Sequence, residues 1–291
     1  MEQPGAQQPL RQQPLQQQPL GQPPSSSDRE TGPGGAAALV AVWEAGLAAG
    51  PAGRALLLHG FARPHAAVDE LLRTPVGRRD ADLFALRRSL FGDLMDVRVA
   101  CGECAEEMEF GFDPAGVVGE AGVAGAAGAA GSGNAGGSAE ADAEPLTVEA
   151  DGWEVRFVPP AAADVAAAEE AGPDRARAVL LSRTVLSAGR DGAPVRPEDL
   201  PGPVQERMAR AAAEADPCAD VVLNVPCPEC GSTTRAELDI ASYLWAEVDA
   251  WARTALADVH LLATAYGWSE AEILALSPLR RRYYLELCAD A

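Results

Sequence analysis

The sequence predicts an α+β chain, mainly helical, with two small hairpins and a helical C-terminal unit. Three observations predict it. Two Cys-x-x-Cys turns, Cys101-Gly102-Glu103-Cys104 and Cys227-Pro228-Glu229-Cys230, each lie between strand-like runs. Apolar residues recur at three- and four-residue spacing through most of the rest, the period of an amphipathic helix. The last fifty or so residues carry helix start signals in succession.

Taken in order, residues 1–35 form a Gln/Pro tract (Gln12-Gln13-Pro14-Leu15-Gln16-Gln17-Gln18-Pro19) running into Ser25-Ser26-Ser27 and Gly32-Pro33-Gly34-Gly35. So little apolar surface cannot offset the entropy of ordering, which predicts a disordered tail. The tract lacks the basic start and apolar centre of a secretion signal, so the expected location is the cytoplasm. Residues 36–113 form the first ordered region. Leu39, Val40, Val42, Trp43 and Leu47 predict a short helix stopped by Gly50-Pro51. An apolar run from Arg54 to His59 follows, then a helix with Val68, Leu71 and Leu72 that ends before Pro75. Asp80 can cap a third helix, whose apolar face is Leu83, Phe84, Leu86, Leu90 and Phe91. Gly92 ends it, and the first hairpin comes next, Val97–Ala100 and Met108–Phe112 around its cysteines.

Residues 114–148 are Gly/Ala-rich and predict a flexible insertion; their glycines and Glu120 disfavour a membrane span. Residues 149–240 hold an alternating strand at Trp153–Val158, closed by Pro159-Pro160, and helices near 162, over 174–186 and over 204–215. The second hairpin follows, Val221–Val225 and Arg235–Ile240. Residues 241–291 are helical: Trp245, Val248, Trp251, Ala252, Leu256 and Val259 make one stripe, Tyr266-Gly267-Trp268 a turn, and Ser269 with Glu272 a capping box. Ser277-Pro278 starts the last helix, with Cys288 on its apolar face.

Strand, knuckle and strand, twice over, is the form of a zinc ribbon. Cys101, Cys104, Cys227 and Cys230 would bring four thiolates around one structural Zn2+, a closed site with no open position for substrate. Two other readings of the cysteines stay open: packing without metal, and thiol redox chemistry, although both turns lead into strands rather than into the helix a redox motif favours. Cys218 and Cys288 have no spacing partner.

The formal net charge of −20 argues against nucleic acid as the main partner. Every basic residue is arginine or histidine, which removes a phosphate-loop lysine and a Schiff-base lysine. His59, His65 and His260 are scattered, and no nucleophile–base pair emerges, so the expectation is a protein that is not an enzyme and has no small-molecule substrate.

The C-terminal block His260-Leu261-Leu262-Ala263-Thr264-Ala265-Tyr266-Gly267-Trp268-Ser269, then Glu272–Ser277 and Arg280–Leu287, resembles the end of a family of phage proteins. These are the T-even-type baseplate hub and hub-assembly proteins, with relatives in contractile tails and extracellular contractile injection systems. Val76-Gly77-Arg78-Arg79-Asp80-Ala81-Asp82-Leu83, with Leu86-Arg87 and Phe91-Gly92, is similar to the segment before the first knuckle in injection-system members, and Trp153–Val165 to their strand-Pro-helix entry. The tail and the Gly/Ala insertion stand outside the resemblance, and so does the metal, which rests on cysteine spacing alone. The resemblance implies a baseplate or hub assembly factor, or a minor component of the particle, whose partners are hub or spike proteins. Tyr266, Trp268, Arg280, Arg281, Arg282 and Tyr284 are the candidate partner-binding residues, since aromatics and arginine are enriched at hot spots. Two alternatives remain: a zinc-ribbon regulator binding nucleic acid through the helix-turn-helix-like end, and a thiol redox protein.

Overall fold

A computed structural model describes residues 13–14, 35–114 and 144–289. The tail and the Gly/Ala insertion therefore lie almost wholly outside the described residues. The exceptions are the boundary residues 35, 114 and 144–148, and β1, Gln13–Pro14, which pairs parallel to a later strand.

Four helices open the first half: α1 Gly35–Leu47, α2 Pro51–Ala62, α3 Val68–Arg73 and α4 Val76–Phe91. Pro51 does stop α1, but it also starts α2 as a first-turn proline, so the Arg54–His59 run is helical. Asp80 is not a cap. The helix begins four residues earlier, and Asp80 is buried in its second turn, paired with Arg79 at 2.7 Å. Gly92 ends α4 at φ 100° and turns the chain into the hairpin of β2 Met95–Ala100 and β3 Glu107–Phe112, which run antiparallel with Val99 opposite Met108.

The middle of the chain makes a second layer. Strands β4 Leu146–Ala150, β5 Trp153–Phe157, β6 Val185–Arg190 and β7 Ala193–Pro194 form an antiparallel sheet in that order. Helices α5 Ala162–Ala171 and α6 Pro173–Thr184 connect β5 to β6, and α7 Gly202–Ala215 covers the sheet. Val148, Val155, Phe157, Val204 and Met208 close a small core there. Two expectations are corrected: Leu146–Val148 belong to a strand rather than to the Gly/Ala insertion, and the helix ends at Thr184, where β-branched Val185 enters β6. The module is stitched to the N-terminal half around the start of α4. Val76 N–H donates to Pro160 O at 2.9 Å, Ala162 N–H to Thr74 O at 3.1 Å, and Gly77 N–H to the Asp216 carboxylate at 2.8 Å. A Cβ on Gly77 would lie 2.1 Å from that carboxylate, so only glycine admits the approach.

After a short turn over Pro217–Ala219, β8 Val222–Pro226 and β9 Thr233–Glu237 form the second antiparallel hairpin, and β1 lies along the other edge of β9. The Asp239 side chain accepts from the N–H groups of Ala241 and Ser242 at 3.0 and 3.2 Å, capping the long helix α8, Ile240–Tyr266. Gly267, at φ 70°, ends it in the left-handed conformation. The Ser269–Glu272 box forms as expected and opens α9 Glu270–Leu274; α10, Pro278–Ala289, is last.

The main core lies between the hairpins and α1, α2, α4 and α8: Leu39, Leu58, Leu83, Met95, Val97, Leu223, Ala236, Leu244 and Val248 are all buried. Gly46 lets the Trp245 ring lie against α1, where an added Cβ would sit 2.3 Å from ring carbon. Arg87 crosses this core, donating to both Glu247 oxygens at 3.0 and 2.8 Å and to Gly92 O at 2.8 Å, which ties α4 to α8. Among the described residues, no helix is long and apolar enough to cross a membrane.

Candidate metal centre

Each Cys-x-x-Cys segment closes its hairpin with the same pair of backbone hydrogen bonds. In the first, Cys101 N–H donates to Glu106 O at 2.8 Å and Ala105 N–H to Cys101 O at 3.0 Å. In the second, Cys227 N–H donates to Ser232 O at 2.8 Å and Gly231 N–H to Cys227 O at 3.0 Å. Both turns place the residue after the second cysteine at positive φ, 61° for Ala105 and 73° for Gly231. Glycine suits that conformation; alanine occupies it under strain.

The turns meet tip to tip. Gly102 N–H donates to Thr234 Oγ1 at 3.2 Å. Ser232 Oγ lies 3.3 Å from Cys101 Sγ and 3.0 Å from Cys230 Sγ, so its one proton can serve either thiolate. Across the junction the Cys101 and Cys230 sulfurs are 3.6 Å apart, and those of Cys104 and Cys227 3.7 Å. All four sulfurs lie within 4.8 Å of one another. Four sulfurs about 2.3 Å from a central ion form a tetrahedron with edges of roughly 3.8 Å. The cluster is therefore of the right size to hold a metal ion, and its ligands come from residues 123 to 129 positions apart.

The proton affinities tell the same story. The Ser232 hydroxyl, aided by the backbone N–H groups of Cys104 and Glu103, draws Cys101 down to about 5. Ser232, through hydroxyl and backbone, also lowers Cys230. Cys104 moves the other way: the Glu106 N–H pulls it down, but desolvation and the neighbouring Cys101, Cys230 and Cys227 thiols push it up to about 12. Four thiolates this close cannot all ionise without a cation between them. The first cysteine of each turn, Cys101 or Cys227, is buried, while Cys104 and Cys230 reach solvent.

The other expected site residues divide. Tyr266, Trp268 and Tyr284 do come together: Tyr266 stacks on Trp268 with ring centroids 4.8 Å apart, and Tyr284 meets the Trp268 edge at 4.8 Å. Arg280 and Arg282 are exposed. Arg281 is not available as a partner-binding residue. It is buried on the inner face of α10 beside Asp258, at 3.9 Å, because residues one helical step from Arg280 and Arg282 turn inward. Of the consecutive tyrosines, Tyr283 is the outward one. Trp245 is a core residue, and His59 is sealed at 1% exposure with Nε2 3.1 Å from Asp82. The sequence reading missed Ser232 and Thr234, whose signal was their place just after Cys230 in a strand edge facing the other turn.

Comparison of the chain with protein-family models, curated proteins and solved structures gives no match.

Proposed function

We propose that this chain is a non-enzymatic assembly protein: a baseplate or hub assembly factor, or minor baseplate component, of a contractile phage tail or phage-derived injection system. Its two zinc-ribbon-like hairpins are clamped by one structural Zn2+. The observation that carries the structural half is the closed four-sulfur cluster. Its ligands saturate a tetrahedral ion and leave no position for substrate. Soft thiolates in that geometry suit zinc first and iron second. The assembly half is supported by the C-terminal resemblance. The sealing of His59 inside the core fits a protein that acts through its surface. The partner contact is drawn accordingly on the Tyr266–Trp268–Tyr284 ledge with Arg280 and Arg282, and Arg281 is removed from it.

The burial of Arg281 also weakens the nucleic-acid reading, since it leaves two outward arginines of the three in a chain of net charge −20. Thiol exchange is disfavoured because the buried sulfurs belong to the leading cysteines, Cys101 and Cys227, and both turns run into strands.

Two measurements test the proposal separately. Elemental analysis of purified protein should give one zinc per chain, lost in Cys227→Ser/Cys230→Ser; metal-free protein straight from cells would remove the clamp. Co-purification with hub and spike proteins encoded beside sheath and tube genes should weaken in Arg280→Glu/Arg282→Glu. Failure of wild type to retain any of them would remove the assembly role and leave the metal site standing.

A further inference from the structure

The second hairpin presents one edge to strand addition. Leu238 N–H donates to Val221 O, and Cys227 N–H to Ser232 O, at the two ends of the β8–β9 ladder. An antiparallel ladder alternates, so Ser232, Thr234, Ala236 and Leu238 turn their backbone groups to β8. Those of Thr233, Arg235 and Glu237 turn to the outer edge. Such an edge is a template for any extended segment unless something covers it. Among the described residues, the strand order β1-β9-β8 puts only Gln13–Pro14 there.

Gln13 lies opposite Ala236 and Pro14 opposite Glu237, in parallel. A residue opposite Ala236 in a parallel pair bonds to the residues on either side of it. That pairs Gln13 N–H with Arg235 O, and Glu237 N–H with Gln13 O, the same groups that the hairpin turns outward. Pro14 falls where the strand needs no donor, with its ring nitrogen away from β9. A proline also holds the residue before it in the extended region, and here that residue is Gln13, which makes both bonds. The same four residues occur three times at a period of five: Gln7-Gln8-Pro9-Leu10, Gln12-Gln13-Pro14-Leu15 and Gln17-Gln18-Pro19-Leu20. Gln8 and Gln18 thus stand before a proline just as Gln13 does. We propose that Gln-Gln-Pro-Leu is a docking motif for the outer edge of β9, and that this chain's own tail covers the edge with any one of its three copies.

Two residues of pairing are too few to hold a free peptide. Residues 15–34 tether the middle copy to α1, and a short tether supplies a local concentration in the millimolar range. Three copies competing for one edge raise its occupancy further. The cover is exchangeable, copy for copy, and it shields the strand that follows the Cys227–Cys230 turn from edge-to-edge pairing with other chains. It needs neither the metal nor the assembly role to be correct.

Amide exchange of the full chain, read residue by residue by NMR, tests it. Glu237 N–H reports the cover, and Ala236 N–H, which faces β8, reports the hairpin itself. Gln8→Pro/Gln13→Pro/Gln18→Pro removes the donor of every copy while keeping the tail extended. Glu237 should then exchange at least about fivefold faster, the loss of one ordinary hydrogen bond, with Ala236 at the wild-type rate. Gln13→Pro alone leaves two copies, so Glu237 should change by only about 1.5-fold, the ratio of three copies to two. Gln7→Pro/Gln12→Pro/Gln17→Pro, equal in composition but one residue out of register, should leave Glu237 as in wild type. Unchanged Glu237 exchange in the first triple variant overturns the proposal. So does a Gln13→Pro effect as large as the triple one, because the copies would not interchange. Equal effects from the two triple variants overturn it as well, because the register would be wrong.

Discussion

Replacing Arg87 with Leu tests how the two halves of the chain are joined away from the metal. Arg87 is 3% exposed and makes three charge-assisted hydrogen bonds, two to Glu247 and one to Gly92 O. Leucine fills most of the space but leaves a carboxylate and a carbonyl unpaired in the core. Breaking a buried pair from one side costs about 3–5 kcal/mol, a large part of the roughly 5–15 kcal/mol available to a domain. The cost depends on pH. Desolvation already raises the Glu247 carboxyl above its usual range, held back by Arg87. Without Arg87 that carboxyl rises further. A group whose folded pKa lies above its unfolded one contributes stability that is present at low pH and lost as pH rises through the folded value. The Leu variant should thus be close to wild type near pH 4 and furthest below it near pH 7. Arg87→Leu/Glu247→Leu, which removes both charges, should recover most of the loss. Urea unfolding of the four proteins at both pH values provides the cycle. A single variant within about 1 kcal/mol of wild type at pH 7, or a double variant as poor as the sum of the singles, would show that the pair does not bridge α4 and α8 as described.

Four further outcomes follow from local geometry. Ala105→Gly should stabilise the protein by about 0.5–1 kcal/mol in thermal or urea unfolding, because it relieves a left-handed alanine, and Gly231→Ala should cost a similar amount. Gly46→Ala should destabilise by roughly 1–3 kcal/mol through collision with the Trp245 ring, and a smaller partner in Trp245→Phe should ease it. Ser232→Ala should lower metal affinity at least about tenfold in a chelator competition, since one hydroxyl serves two ligand sulfurs. Burial raises the Asp80 carboxyl from 3.8 to about 6 despite Arg79. Its contribution is present below pH 3.8 and lost as pH rises to about 6, so Asp80→Asn should gain up to about 3 kcal/mol relative to wild type across that window; a difference flat in pH would contradict it.

The parts of this architecture readable from sequence were those with local causes. The four cysteines declare themselves by spacing, and the Ser269–Glu272 box and the Pro278 start are written within a single turn. The long C-terminal helix shows in its own period. What escaped was set by distant partners. Leu146–Val148 read as the end of a Gly/Ala stretch and join the strand Leu146–Ala150 only because Trp153–Phe157 pairs with it. Val185 and Leu186 continue the helical pattern of the preceding residues until β5 recruits the segment Val185–Arg190 as a strand. Asp80 looks like a cap because the real beginning of α4 is fixed by Pro160 O and Asp216, both far along the chain. Arg281 lies between two exposed arginines, and only the docking of α10 on α8 tells it apart.

Those distant contacts also explain why a metal clamp would be worth having. The chain leaves the core after β3, builds a separate sheet with its own small core, and returns at β8. Bringing the two hairpins together means closing a loop of 123 residues or more. Cross-linking a loop of about 100 residues removes on the order of 5 kcal/mol of entropy from the unfolded chain, comparable with the whole stability of a domain. The stitches at Val76, Gly77 and Ala162 offset part of that by fixing both ends of the excursion near the start of α4. They are ordinary hydrogen bonds, each contributing about 1 kcal/mol. A metal ion held by the four thiolates at the other pole of the junction would contribute far more, and at one point. With such an ion in place the work would be divided: hydrogen bonds orient the returning chain, and the sulfur cluster would secure it. Metal removal should accordingly expose the interface between the hairpins while the β4–β7 sheet keeps its amide protection. Hydrogen exchange that rose equally in both regions would mean that the excursion has no stability of its own.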